Sequence, residues 1–190
     1  MTGRVTGAAG AWTGLATGTL VAGAAGDHAA ATIGSGGVKA GTALTTIGTS
    51  GVIFAHSDRV TIDPGGRVHT LCSAVPGAWT VMSCSLSSGG SLQWLRNNLF
   101  TAEMEAAAGM GQDPYALMDR QAARIPAGAE RLLFLPWLMG ERSPLLDADA
   151  RGVFFRPSTI HSQYHIVREV MAGVIFSLRS CLAVVGGMGV

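Results

Sequence analysis

Leu20-Val-Ala-Gly-Ala-Ala-Gly-Asp-His-Ala-Ala30 is the stretch that decides the fold. Its apolar start predicts a short strand, its glycines Gly23 and Gly26 predict a turn, and its alanine-rich end predicts a helix. Asp27 would then follow a strand and begin a helix, where the helix dipole favours an ionised carboxylate. Because the neighbouring residues are small, a substrate can approach closely. We therefore expect Asp27 to accept a proton, and the alternative is that it only caps the helix.

The composition excludes some classes of function. The chain has 190 residues, enough for one substantial domain or for part of a larger protein. Its formal net charge is +1 and it has no cluster of Lys and Arg, which argues against nucleic-acid binding. The mean hydropathy of +0.35 raises the question of a membrane, but the apolar run Leu132–Met139 is too short to span one. Three widely spaced cysteines predict buried free thiols in a cytoplasmic protein.

Two pairs of β-rich segments follow the Asp27 helix. Ala43–Gly48 and Val52–His56 flank a Gly48-Thr49-Ser50-Gly51 turn, which predicts a hairpin. The turn offers backbone N–H groups and two hydroxyls, which suits a phosphate, although the same sequence also forms ordinary turns. Val68–Ala74 and Trp79–Ser85 predict a second pair of strands.

Three helices are predicted in the second half of the chain. Ser87–Gly90 begins the first, where glycines at a helix N-terminus can admit a nucleotide against exposed N–H groups. Simple N-capping by one of its two serines is the alternative. Asp113 as N-cap and Pro114 as the first residue begin the second helix. The third, Ser162–Val185, has a stripe that should face a core: Val167, Val170, Met171, Val174, Leu178 and Leu182.

Taken together, these segments resemble the FGGY family of carbohydrate kinases, most closely its xylulose kinases. The similar stretches occur in order along nearly the whole chain: Thr13–Asp27, Ile47–Val52, Asp63–Thr70, Ala74–Trp79, Gly89–Arg96, Phe134–Pro144 and Asp149–Phe155. Gly152–Ser177 is similar to the second signature of the family. Each motif alone is weak, and their ordered set is specific.

The resemblance implies an α/β protein with the actin-like ATPase (ribonuclease H-like) fold, in which two domains enclose a cleft. The chain would hold the end of the first domain and most of the second. Residues 1–38 would be the C-terminal end of the N-terminal domain and carry the catalytic Asp, and residues 39–190 would be a truncated C-terminal domain. The first phosphate loop, most sugar contacts and a later glycine-rich adenosine motif would lie outside the chain, so we expect it to be an incomplete copy.

The activity implied by the resemblance is ATP-dependent phosphorylation of a ketose sugar, D-xylulose to D-xylulose 5-phosphate. Asp27 would be the general base that deprotonates the sugar hydroxyl. Gly48 and Thr49 would lie in the second phosphate-binding turn, with Thr49 contacting the transferred phosphoryl group. Gly89 and Gln93 would contact the nucleotide. ATP and Mg²⁺ are the cofactors implied, and no residue of the chain is expected to ligate the metal.

One residue beside the predicted base departs from the family pattern. His28 stands where the family usually has Asn or Gln, which could alter the orientation of the substrate or the environment of the acid. Glu141 and Arg142 match a family loop for which we expect a structural role.

The alternatives to a xylulose kinase are a kinase for gluconate, ribulose or glycerol, and a non-catalytic nucleotide-binding fragment. The expected partners are a sugar and ATP, without nucleic acid or membrane, and a homodimer is left open.

Overall fold

A computed structural model describes residues 2–23 and 25–190. Its elements, in chain order, are β1 (Thr2–Arg4), α1 (Gly7–Thr13), β2 (Leu20–Ala22), α2 (Asp27–Gly34), β3 (Ala43–Ile47), β4 (Gly51–Ser57), β5 (His69–Cys72), β6 (Trp79–Ser85), α3 (Gly89–Leu99), α4 (Thr101–Gly109), α5 (Pro114–Ala122), a 3-10 helix (Ala129–Arg131), β7 (Leu133–Leu135), β8 (Val153–Phe155) and α6 (Gln163–Gly187).

The N-terminal segment forms a small unit. Strands β1 and β2 pair in antiparallel fashion around α1, with Gly3 opposite Val21. Gly26 is the N-cap residue of α2, and Asp27 is the first residue of that helix. The predicted strand and helix are therefore confirmed, whereas the predicted turn between Gly23 and Gly26 includes Ala24, which lies outside the described residues.

The centre of the molecule is a four-stranded antiparallel sheet in the order β3-β4-β6-β5. The two predicted strand pairs, β3 with β4 and β5 with β6, are confirmed as hairpins of this sheet. Side chains alternate across β4, as the pleat of a strand requires. Ile53 and Ala55 join one hydrophobic cluster, whereas Val52 and Phe54 join another on the opposite face.

Helix α6 covers one face of the sheet. Val174, Leu178 and Cys181 pack with Ile53 of β4 in one cluster, and Val170 packs with α3 and α5 residues in a second. The predicted stripe holds except at its last member. Leu182 is 46% exposed because the buried row continues through Cys181 and Val185, which places Leu182 about 100° away around the helix.

By length and composition alone, α6 could also cross a membrane, a property that the sequence analysis missed by considering only Leu132–Met139. In this structure the helix has a buried face within both core clusters.

Gly173 explains how closely α6 approaches β7. A Cβ at this position would overlap the carbonyl oxygen of Phe134, so only glycine fits.

Candidate active site

Asp27 projects its carboxylate from the first turn of α2, and its side chain is 93% exposed. The carboxylate oxygen Oδ1 accepts a hydrogen bond of 2.8 Å from the backbone N–H of His28 and lies 3.1 Å from Nδ1 of the same residue. The backbone hydrogen bond is the main cause that lowers the pKa of Asp27, and the contact with the imidazole adds to it. Asp27 is therefore ionised at neutral pH and has room to meet a ligand.

A groove joins Asp27 to the central sheet. It has a volume of about 300 Å³, and α2 faces β4, β5 and β6 across it. The His28 ring stacks on Phe54 with centroids 5.0 Å apart and planes 15° apart, which fixes α2 against β4. Leu71, Thr80 and Met82 add a largely apolar wall with one hydroxyl. A polyol of a few carbons is small enough to enter such a groove beside the carboxylate.

The predicted phosphate-binding turn lies at the N-terminal end of β4 and is docked on the start of α3. The N–H groups of Ser88 and Gly90 donate to the carbonyl of Thr49, at 2.8 and 3.0 Å, and Gly89 N–H donates to the carbonyl of Gly48 at 2.8 Å. A Cβ on Gly89 would lie 2.5 Å from that Gly48 oxygen. Gly89 thus allows the turn to approach the helix.

These contacts correct one part of the sequence reasoning. The first N–H groups of α3 are occupied by the turn, so they are not free to bind a nucleotide, as the glycines at the helix start suggested. Ser88 occupies the N-cap position but makes no side-chain capping bond, so the capping alternative is wrong as well. The N-terminus of α3 instead supports the turn, in which Gly48 and Thr49 are exposed to solvent.

Gly89 and Gln93 lie one helical turn apart on α3, so they share one face of the helix. Gln93 is exposed, and Gly89 borders an apolar cavity of about 180 Å³. Ile47, Leu92 and Val174 are also among its lining residues. The predicted nucleotide residues are therefore brought together along one edge, with an apolar recess of a kind that can hold part of an aromatic base beside them.

Strand β4 connects the two sets of candidate residues. Phe54, which stacks on the helix of Asp27, is three residues from Gly51 at the end of the phosphate-binding turn. That separation is about 10 Å along an extended strand. The turn thus leads directly into β4, and the carboxylate lies on α2, which packs on the same strand through the stack of His28 on Phe54. Such an arrangement can hold an alcohol near the base and a phosphoryl donor near the turn.

Sequence reasoning missed the residues that build the groove wall. The sequence indicates Phe54, Thr80 and Met82 only as strand residues. Their common face could have been found, because the strand period of two places residues 52, 54 and 56 on one side of β4. Within the described part of the chain, no three His, Cys, Asp or Glu residues cluster in a way that could hold a metal ion.

Comparison with known proteins gives concordant results. The sequence model described as the FGGY family of carbohydrate kinases, C-terminal domain, matches residues 43–186. The xylulose kinase of Escherichia coli (strain K12) is 37% identical over 180 residues, which is 95% of this chain and 34% of that protein. The gluconokinase of Bacillus subtilis (strain 168) is 36% identical over 155 residues, which is 81% of this chain and 30% of that protein.

A solved structure agrees with these sequence matches. The crystal structure of xylulose kinase from Rhodospirillum rubrum has a TM-score of 0.85 and 34% sequence identity, covering 98% of this chain and 36% of that one. The chain therefore spans about a third of the length of the relatives it matches. The α/β, actin-like ATPase fold expected from the sequence is confirmed. The division between residues 38 and 39 stays a prediction.

Proposed function

Since this chain belongs to the FGGY family of carbohydrate kinases, we propose that it provides the base and part of the nucleotide site of an ATP-dependent sugar kinase. One observation carries the proposal. An exposed, ionised carboxylate borders a groove over β4, and the same strand begins at a glycine turn that presents Thr49. Phosphoryl transfer requires these two parts at one site, because its catalysis depends mainly on positioning and on charge stabilisation.

In the proposed reaction, Asp27 accepts the proton of a sugar hydroxyl whose oxygen attacks the γ-phosphorus of ATP. The bond between that phosphorus and the β,γ-bridging oxygen breaks, and ADP leaves. The lowered pKa makes Asp27 a weak base, so much of its contribution is the orientation of the hydroxyl. His28, held against Phe54, restricts the side-chain positions open to Asp27.

We assign the nucleotide to the edge formed by the turn and α3. The hydroxyl of Thr49 would donate to the transferred phosphoryl group, and Gly48 leaves space for the phosphates. Gln93 and the apolar cavity beside Gly89 would contact the nucleoside. Mg²⁺ would neutralise phosphate charge, but the described residues include no metal-binding cluster, so we assign it no protein ligand here.

For the sugar, we propose D-xylulose, and the product would be D-xylulose 5-phosphate. Xylulose kinases match nearly the whole chain, both in sequence and in structure. Gluconate is the second candidate, because a gluconokinase matches at nearly the same identity. An enzyme that phosphorylates D-xylulose with ATP would act in the cytoplasm and belong to xylose metabolism. A homodimer, and the absence of nucleic-acid and membrane partners, stay predictions.

The test is sugar-dependent ADP release by the full-length protein with D-xylulose, gluconate, ribulose and glycerol. We expect the highest kcat/KM with D-xylulose. A higher value for gluconate would overturn the choice of sugar and leave the kinase assignment intact. ADP binding without phosphorylation of any of the four would instead support a non-catalytic nucleotide-binding module. The absence of both would contradict the proposal as a whole.

A further inference from the structure

Glu141 is a buried carboxylate whose role the proposed reaction leaves unexplained. Glu141 is only 2% exposed. No Lys, Arg or His in the described ranges lies within salt-bridge distance of its carboxylate. Instead, the carboxylate accepts three hydrogen bonds, from Ser85 Oγ at 2.8 Å, from Leu86 N–H at 2.9 Å and from Arg142 N–H at 2.8 Å. These three donors satisfy both buried oxygens of the side chain, which have lost their contact with water.

The partners of Glu141 lead directly to the phosphate-binding turn. Leu86, which donates its N–H to Glu141, accepts a hydrogen bond on its carbonyl from Ser50 Oγ at 3.3 Å. Ser50 belongs to the turn itself. Ser88–Gly90, which begins two residues after Leu86, donates the N–H groups that bind the carbonyls of Gly48 and Thr49. A single short segment, Ser85–Gly90, thus binds the carboxylate at one end and the turn at the other.

The loop that carries Glu141 is itself fixed. Glu141 and Asp147 exchange backbone hydrogen bonds of 2.8 and 2.9 Å. Ser143 N–H donates to the carbonyl of Cys84 at 3.0 Å, and Ser143 Oγ donates to the carbonyl of Arg67. Because the loop is held on both sides, the carboxylate is a rigid support, so a change there would be passed to the segment it binds.

We propose that Glu141 is a positioning residue for the phosphate-binding turn and acts on it through Leu86 and Ser50. The inference rests on the proposed function, in which that turn binds the phosphates of ATP. Glu141 contacts neither Asp27 nor the residues that line the sugar groove. It should therefore affect the nucleotide and leave the affinity for the sugar unchanged.

Four variants of the full-length protein test this role. In Glu141→Ala, Leu86 N–H loses its acceptor, and we expect ADP affinity to fall by about tenfold or more. Glu141→Gln should keep ADP affinity within about threefold, because its oxygen still accepts both N–H bonds and its amide can donate to Ser85 Oγ. Ser50→Ala removes only the second link and should weaken ADP binding by about two- to fivefold. Glu169→Gln, at another residue that is 2% exposed, is the matched control and should leave ADP affinity unchanged.

Calorimetry with ADP and amide hydrogen exchange of residues 48–51 are the two readouts. Faster exchange in Glu141→Ala with slow exchange in Glu141→Gln would support the inference. A folded Glu141→Ala with parental ADP affinity and exchange would overturn it, and so would an equal loss in Glu169→Gln. If Glu141→Ala does not fold, a normal ADP affinity in Ser50→Ala would overturn the link. A parent protein that binds no ADP would contradict the proposed function, whereas exchange at the turn would still decide whether Glu141 holds it.

Discussion

Gly89→Ala tests the close contact between α3 and the phosphate-binding turn. The new methyl group would lie 2.5 Å from the carbonyl oxygen of Gly48, whereas ordinary contacts to a Cβ begin at 3.4 Å. The turn would have to retreat by about 1 Å, because the opposing atom belongs to the backbone. This movement would also stretch the 2.8 Å hydrogen bond from Gly89 N–H to Gly48.

The expected cost follows from these contacts. Overpacking costs about 1–3 kcal/mol, and the weakened hydrogen bond costs about 1 kcal/mol. Alanine returns up to about 1 kcal/mol through its higher helix propensity. We therefore expect Gly89→Ala to lower the free energy of unfolding by about 1–3 kcal/mol. The displaced turn should also weaken ADP binding.

The assay is urea unfolding of the parent and variant, with Gly109→Ala as the matched control. Gly109 ends α4, and a methyl group added there would have no neighbouring atom within 4 Å, so alanine should be neutral or stabilising. Gly89→Ala with a midpoint at or above that of the parent would refute the packing argument. Reduced ADP affinity at parental stability would show that Gly89 serves the nucleotide rather than the turn.

The remaining predictions concern pH. Asp63, which binds Arg67 through both carboxylate oxygens, has a lowered pKa because of those hydrogen bonds. It therefore stabilises the fold above its unfolded pKa near 3.8, and the gap in melting temperature between the parent and Asp63→Asn should close as the pH falls below that value. Burial raises the pKa of Glu169, so its charged form opposes folding at neutral pH. Glu169→Gln should therefore raise the melting temperature at pH 7, and this gain should vanish below pH 4.5, where the carboxyl group is protonated in both states. A lower melting temperature at pH 7 would contradict the argument.

Local signals in the sequence were sufficient for most elements. The glycines after Leu20–Ala22 indicated the start of α2, and Asp113 caps α5 by accepting the N–H of Tyr115 at 2.9 Å. Helix α4 was missed because Thr101–Gly109 is rich in alanine and has no amphipathic periodicity. Cys72 was expected to be buried, but it is exposed at the edge strand β5.

The parts of the site that could not be predicted depend on distant contacts. Glu141 binds Ser85 and Leu86, which precede it in the sequence by 56 and 55 positions. A short window of the sequence therefore cannot show that Glu141 supports the turn. The occupied N–H groups of α3 likewise depend on a turn some forty residues earlier, as the bond from Gly89 to Gly48 shows. The resemblance predicts which residues form the site, and only the fold shows which residues hold them in place.

The central claim is that Asp27 is the base of a sugar kinase, and Asp27→Asn in the full-length protein tests it most directly. The measurement is transfer of the γ-phosphate of ATP to D-xylulose, with ADP affinity determined on the same sample. Asparagine keeps the size of the side chain and cannot take the proton, so we predict a loss of about 10²–10⁴-fold in kcat with ADP affinity nearly intact. Phosphate transfer within a few-fold of the parent protein would contradict the claim and leave Asp27 as a residue that only stabilises the start of α2.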